Sequence, residues 1–470
     1  MKNISIWKDT VLKKEYPKLE KDINIDVLII GGGITGISTF YHLKKSNLKI
    51  ALVEQNKIGF SITGNSTGKL NYLQNDLLDK IRFNFNDEVA LKYIRSQKDA
   101  IELAIKIIND ENIDCDIKKV DSFLYTNKDD EIKKIKDLEK FLSKNNIITK
   151  SADTKLVNSK YMFKVEDTYI FHPIKFIYGL IDKNDNIYEN TGIKKIEKKK
   201  NKYVCFTDNN KIIAKHIIIA SHYPYFNLPF LFPIKGSLEK SYLSASIYDD
   251  SPISLISYSK PIISLRSYKD YLIYLSNSHI ISNKINDKEN FFELKEKLKK
   301  INLKPDYLWS NIDIMTNDGL PYIGKIKENM FIATGYNTWG LTNGILAGKI
   351  ISDMILNKKN QYIELFNPNR INMPKVLSVA GDAYDSIKGY IKSYLNKSDK
   401  ILYKKIDGKS IMEYKEGNKK VYHTCPHLGC KLLFNEIEET FDCPCHGSRF
   451  DINGKCISAP ANKDINIENK

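Results

Sequence analysis

Short apolar runs and amphipathic stretches alternate along the chain, and their spacing predicts its elements. Asp26-Val27-Leu28-Ile29-Ile30 is a nearly unbroken apolar run, the pattern of a strand covered on both faces in a parallel sheet. A helix-like stretch follows from Ile37 to Lys45, then a second apolar run, Ile50-Ala51-Leu52-Val53. From Asp79 to Ile108 and from Asp129 to Leu142 apolar residues recur at helical spacing, so residues 75–165 are expected to be mostly helical. Residues 226–310 hold β-rich runs such as Tyr242–Ile247 and Tyr271–Leu275, which predict an antiparallel sheet. A helix is expected from Pro374 to Leu395, and only strands from about 398 to 468. At 470 residues the chain is too long for one core, and two or three domains are expected.

The first apolar run leads straight into Gly31-Gly32-Gly33-Ile34-Thr35-Gly36, and the second ends on Glu54. Strand, GxGxxG, helix, strand and acid in that order form a dinucleotide-binding layout. Gly31 permits the tight turn, Gly33 lets a pyrophosphate approach the backbone, and Gly36 lets helix pack on strand. The N-terminus of the helix attracts phosphate, with Ile34 and Thr35 in its first turn. Glu54 can hold a ribose hydroxyl. A glycine-rich turn in some other α/β protein is the alternative.

Further along, Gly59–Lys69, Ile187–Ile193, Ile217–Pro224, Asp318–Gly324, Phe331–Tyr336 and Trp339–Gly344 are similar to successive motifs of the D-amino-acid oxidase and glycine oxidase superfamily of flavoproteins. The resemblance implies FAD. It implies that Ser66, Thr67 and Lys69 pass near the flavin, that Ile193 belongs to the strand that meets the adenine, and that Gly335, Trp339, Gly340, Leu341 and Thr342 close over the ring. A helix N-terminus at that last place favours a reduced, anionic flavin. Neither Ser61–Lys69 nor Gly324–Gly344 contains a Cys or His, so the FAD is expected to be non-covalent. The fold expected is an α/β (α+β) flavoprotein, with a Rossmann-like FAD-binding domain and an antiparallel-sheet substrate domain.

Near the C-terminus stand Cys425-Pro426-His427-Leu428-Gly429-Cys430 and Cys443-Pro444-Cys445-His446-Gly447-Ser448. Each box offers one Cys and one His beside a further Cys. Two thiolates on one iron and two imidazoles on the other make the ligand set of a Rieske [2Fe–2S] centre. Cys425 and Cys443 are assigned to one iron, His427 and His446 to the other. Zinc is the alternative, although zinc fingers pair Cys with Cys and His with His. The boxes closely resemble those of quinol-oxidising Rieske proteins. That resemblance implies a Cys430–Cys445 disulfide, a Ser448 hydroxyl bonded to a cluster sulfide, and Ser458–Ala461 as a loop covering the cluster. Phe450 stands where a Tyr is common in high-potential members, and fewer hydrogen bonds to the sulfurs predict a lower potential. Cys456 reads as structural. Trp7–Thr10 and Trp309–Asn311 suit a subgroup that joins the flavoprotein to a small all-β Rieske domain.

The domains expected are therefore an N-terminal extension at 1–23; an FAD-binding domain in three pieces, 24–74, 166–225 and 311–359; a helical, substrate-side region at 75–165; an antiparallel substrate domain at 226–310; a connector at 360–397; and a Rieske domain at 398–470.

Charge changes this picture little. The net charge is +16, but lysines are spread among acids with no aromatic-interleaved basic motif, which argues against nucleic acid. An acidic redox partner fits the same surface. Met1–Lys21 lacks an apolar core and no stretch is long enough to span a membrane. Two cysteines lie outside the C-terminal segment and five within it. Without a disulfide framework over the flavin part, a cytoplasmic location is expected.

Amino-acid-oxidising relatives often carry an Arg before the late Asp-Gly-Leu-Pro motif, to grip a carboxylate; Asp313 stands there instead. That favours a cationic amine, the alternative being a structural ion pair. Arg266 is the best remaining anion anchor. His222 and His172 are near-ring candidates or structural histidines, and Lys69 fits a flavin, phosphate or surface role. The function expected is FAD-dependent, dehydrogenase-like oxidation of a small substrate, with electrons passed singly through the cluster to an electron-transfer protein or other acceptor. A redox sensor or electron-transfer module without an organic substrate is the alternative.

Overall fold

The run at 26–30 becomes the centre of an eight-stranded sheet in the computed structural model, which describes residues 1–223, 236–248, 252–281, 286–370, 401–406, 409–414 and 419–469. Strand Ile23–Ile30 lies parallel to Ile50–Val53 on one side and Lys211–Ile219 on the other. Val27 and Ile29 enter the main core, while Leu28 and Ile30 face a second cluster containing Tyr203 and Cys205, as strand alternation requires. Helices Ile34–Lys44 and Gly340–Ile355 pack together. The close approach needs glycine: a Cβ on Gly348 would lie 2.5 Å from the Ser38 Cβ, and one on Gly344 would lie 2.6 Å from Ile34.

A nine-stranded sheet stands beside it, in the order Pro305–Thr316, Gly236–Ile247, Tyr271–Ile280, Ser264–Tyr268, Ser254–Ser257, Lys118–Thr126, Tyr161–Ile170 and Lys69–Leu70, with Thr149–Ser151 also on Tyr161–Ile170. All its pairs are antiparallel except Ser254–Ser257 with Lys118–Thr126. Three of these strands come from the stretch expected to be mostly helical. Their outward positions carry lysines and acids, and this charge hides the alternation. The long amphipathic pattern after Asp79 also divides into helices Leu77–Asn84 and Asp87–Asp110. Asn86 caps the second by accepting the Val89 N–H at 2.9 Å, a standard stop between helices.

The C-terminal part forms two four-stranded sheets. One joins Ile401–Ile406, Lys409–Tyr414, Lys419–Tyr422 and Ile467–Asn469. The other joins Leu433–Asn435, Thr440–Asp442, Arg449–Phe450 and Cys456–Ser458. The helix expected at 374–395 lies outside the described residues. Among the described residues, no helix is long and apolar enough to cross a membrane.

Candidate flavin and iron–sulfur sites

A deep cavity opens where the first strand meets its helix. Gly31 sits there at φ +114°, and a Cβ on it would lie 2.6 Å from the Ala220 carbonyl oxygen; only glycine tolerates both constraints. Gly36 is closer still, a Cβ there falling 1.9 Å from the Gly31 oxygen. Glu54 accepts the Gly32 N–H at 2.7 Å and the Asn56 N–H at 2.8 Å. Burial raises its pKa against the pull of these bonds.

Of the cofactor residues read from sequence, Gly31, Gly33, Ile34, Thr35, Glu54, Ser66, Thr67, Lys69, Ile193, Trp339, Gly340 and Leu341 line this one cavity. Gly36, Gly335 and Thr342 stand behind its wall. Gly335 holds a turn at φ +73°, and the Thr342 hydroxyl accepts the Asn71 N–H at 3.3 Å. Buried, unpartnered polar atoms collect here: Asn56 Oδ1, Asn65 Oδ1, His222 Nε2, Asn311 Oδ1 and Trp339 Nε1 all belong to lining residues. Buried polar groups are rarely left unsatisfied, so the wall is built for a polar occupant, and the glycine cradle and Glu54 suit a dinucleotide.

The loop running to Lys69 is clamped from outside the cavity. Trp7 Nε1 donates to the Ser66 carbonyl at 2.7 Å and Trp309 Nε1 to the Asn65 carbonyl at 2.9 Å, which gives both tryptophans noted in the sequence a shared role. Arg266 completes the clamp. It is 1% exposed, donates to the Gly68 and Phe171 carbonyls at 2.6 and 3.1 Å, and lies 4.8 Å from the Trp7 ring. It does not line the cavity, which corrects its assignment as an anion anchor: its Nε and Nη1 are held by backbone oxygens and its plane by an aromatic face, while Nη2 is buried without a partner among the described residues. His172 is likewise structural. It caps helix Pro173–Gly179 by accepting the Lys175 N–H, and burial lowers its pKa to about 3.

At the sheet side, Asp313 and Glu239 are directly opposed on neighbouring strands, and both line the cavity. Glu239 pairs with Lys260 at 2.6 Å. Asp313 has no hydrogen-bond or ion-pair partner among the described residues, and its pKa is raised to about 7 by burial and then by Glu239. Every lysine lining the cavity is engaged: Lys57 with Glu189, Lys260 with Glu239, and Lys69 with the Leu255 carbonyl and Ser264 Oγ at 2.8 and 2.7 Å. His222 lines the cavity at φ +60°, hydrogen-bonds the Ile312 backbone, and has a pKa lowered by burial to about 4. Sequence reading missed Glu239, Lys260 and Asp76: Glu239 meets Asp313 only through strand register, and Lys260 and Asp76 reach the cavity on loops.

The two Cys/His boxes fold alike. Cys425 and Cys443 each accept, through their carbonyls, the N–H of the glycine four residues on, at 2.9 Å, while their own N–H groups bond Cys430 and Ser448 carbonyls at 2.8 and 2.7 Å. Gly429 and Gly447 have φ of +79° and +71°. Cys430 and Cys445 form a disulfide across the boxes. Three buried sulfurs, of Cys430, Cys443 and Cys445, crowd together, but the disulfide leaves only Cys443 of these free to ligate. Cys425 and Cys443 face each other closely enough to influence one another's ionisation, and the Ser448 hydroxyl lies beside Cys425. The rings of His427 and His446 are 5.0 Å apart, and Nδ1 of each is buried without a partner among the described residues. Two thiols and two imidazole nitrogens, one of each from either box, fit the ligand set of a Rieske cluster. Cys456 is structural, donating from Sγ to the Ala461 carbonyl at 3.1 Å.

A dinucleotide cradle and a mixed Cys/His cage in one chain define a flavin and iron–sulfur oxidoreductase. The family described as FAD dependent oxidoreductase matches residues 26–354, and the Rieske [2Fe-2S] domain matches residues 392–468. The chain belongs to the FAD dependent oxidoreductase family and carries a C-terminal Rieske domain; FAD and a [2Fe–2S] cluster are its cofactors. It is similar to the "Putative Rieske 2Fe-2S iron-sulfur protein YhfW" of Bacillus subtilis (strain 168), at 29% identity over 98% of this chain and 96% of that one. It is also similar to gamma-glutamylputrescine oxidoreductase of Escherichia coli (strain K12), at 20% identity over 79% of this chain and 95% of that one. Glycine oxidase from Geobacillus kaustophilus shares the fold, with a TM-score of 0.62, 16% identity, and coverage of 74% of this chain and 99% of that one.

Proposed function

We infer that the protein is a cytoplasmic FAD-dependent amine dehydrogenase that binds a small cationic amine beside Asp313 and sends the electrons singly through the Rieske cluster to an external acceptor. The observation that carries this reading is the Asp313 carboxyl, without a partner among the described residues, in a cavity whose described lysines are all engaged. Such a wall attracts an ammonium and offers no free cation, among the described residues, to a substrate carboxylate. The relative named gamma-glutamylputrescine oxidoreductase supports an amine. When bound, FAD supplies the two-electron acceptor and the cluster a one-electron outlet. The chain's own part is to bind and to deprotonate. With a pKa near 7, an Asp313 carboxylate oxygen can pair with the ammonium and accept its proton, leaving the neutral amine that hydride transfer requires.

Anaerobic titration with amines and with amino acids tests this, read at the flavin band and by electron paramagnetic resonance of the cluster. Amines are expected to bleach the flavin and then to develop the reduced-cluster signal. Bleaching by amino acids alone overturns the substrate class. A bleached flavin beside a permanently oxidised cluster overturns the route. Bleaching only by a reductase selects the electron-transfer module instead.

A further inference from the structure

The Rieske domain forms part of the cavity wall. Ile457, Ser458 and Ala459 line the same cavity as the Gly31–Gly33 turn and Glu54. Hydrogen bonds from the flavin part fix this segment. Gln55 Nε2 and Asn56 Nδ2 both donate to the Cys456 carbonyl at 3.1 Å. Lys194 Nζ donates to the Asn462 carbonyl at 2.7 Å, and Asn462 Nδ2 returns a bond to the Lys194 carbonyl at 3.3 Å. The two residues that grip Cys456 directly follow Glu54, the acid suited to ribose.

The same segment is tied to the cluster cage. Ser448 Oγ, in the second Cys/His box, accepts the Ala461 N–H at 2.9 Å. Hydrogen bonds therefore run from the second Cys/His box, where the Cys443 N–H bonds the Ser448 carbonyl, through Ser448, the 456–462 hairpin and Gln55–Asn56, to the loop of Glu54.

We propose that residues 457–459 of the Rieske domain belong to the FAD-binding site and close its Glu54 end, so that FAD and the intact cluster domain stabilise each other. This rests on the presence of both cofactors and is independent of the substrate and of the direction of electron flow. Two ligands that hold one interface must affect each other reciprocally.

The test uses the full-length holoprotein and a latch variant, Lys194→Met with Asn462→Ala, neither residue lining the cavity. FAD release on dilution is followed by flavin fluorescence. Loss of these bonds is expected to speed release about tenfold, with the cluster's resonance spectrum retained. Unchanged release, with proteolysis showing the hairpin freed, overturns the proposal. The reverse arm needs no variant. FAD is stripped with concentrated bromide, and iron loss to a chelator is timed before and after FAD is restored. Faster iron loss without FAD, reversed on its return, supports the link; equal rates overturn it.

Discussion

Asp313 and Arg266 show what one residue's surroundings do to its chemistry. Asp313 meets an amine in the free enzyme only as the carboxylate, so kcat/KM for a cationic amine is expected to fall about tenfold per pH unit below 7. Asp313→Asn should abolish that limb and lower kcat/KM about 10–100-fold, the worth of a charge-assisted bond; a limb that survives removes Asp313 from the chemistry. Arg266→Met takes the guanidinium donor from the Phe171 carbonyl and leaves the Gly68 carbonyl with only the Phe171 N–H. It should cost about 2–4 kcal/mol in urea unfolding, with no selective effect on anionic over cationic ligands. Both residues are legible in the sequence as charges within apolar strands. Their opposite roles are not, because Arg266 meets carbonyls from Gly68 and Phe171 and Asp313 meets Glu239 across a register that only the folded sheet defines.

Elements were legible where local rules fix them. The strand–glycine–helix turn stands as read, since Gly31 and Gly36 are held by contacts within their own motif or its neighbouring strand. The Cys/His boxes stand as well, each closing on its own glycine. Strands 118–126, 149–151 and 161–170 were hidden, because burial on one face and charge on the other imitate a polar helix at short range. Two substitutions probe this scale. Gly348→Ala places a methyl 2.5 Å from Ser38 and is expected to cost about 1–3 kcal/mol by forcing two helices apart, measurable as a lower urea midpoint. Ser448→Ala removes the hydroxyl beside Cys425 and should lower the cluster's midpoint potential in a redox titration; an unchanged potential would mean the hydroxyl does not reach the cluster sulfurs.

The whole molecule depends on how its two redox parts are joined. Lys240 lies between Asp287 and Asp442 at 2.9 and 2.8 Å, and Arg449 pairs with Asp442 at 3.0 Å and Glu438 at 2.8 Å. Glu438 in turn accepts the Ser310 N–H at 3.0 Å. Burial opposes ionisation, yet Arg449 and Lys240 hold Asp442 and Glu438 below the ordinary carboxylate range. Groups so depressed give stability that is fully present above the unfolded pKa near 4 and is lost as pH falls. Acid below about pH 4 is therefore expected to detach the Rieske domain before the flavin domain melts, seen as two calorimetric transitions where neutral pH gives one. Arg449→Met, which takes the paired cation from buried Glu438 and leaves Asp442 with Lys240 alone, should cost about 3–5 kcal/mol and separate the transitions at neutral pH. Packed against this network, Gly447 faces Ile281 and Ile312, and the His446 ring meets Tyr223, the residue next to cavity-lining His222. For anyone grafting a foreign iron–sulfur module onto this scaffold, the unit of exchange is thus larger than the module: Lys240, Asp287, Ser310 and the 55–56 pair must travel with it, or the chimera will carry two working halves that never meet.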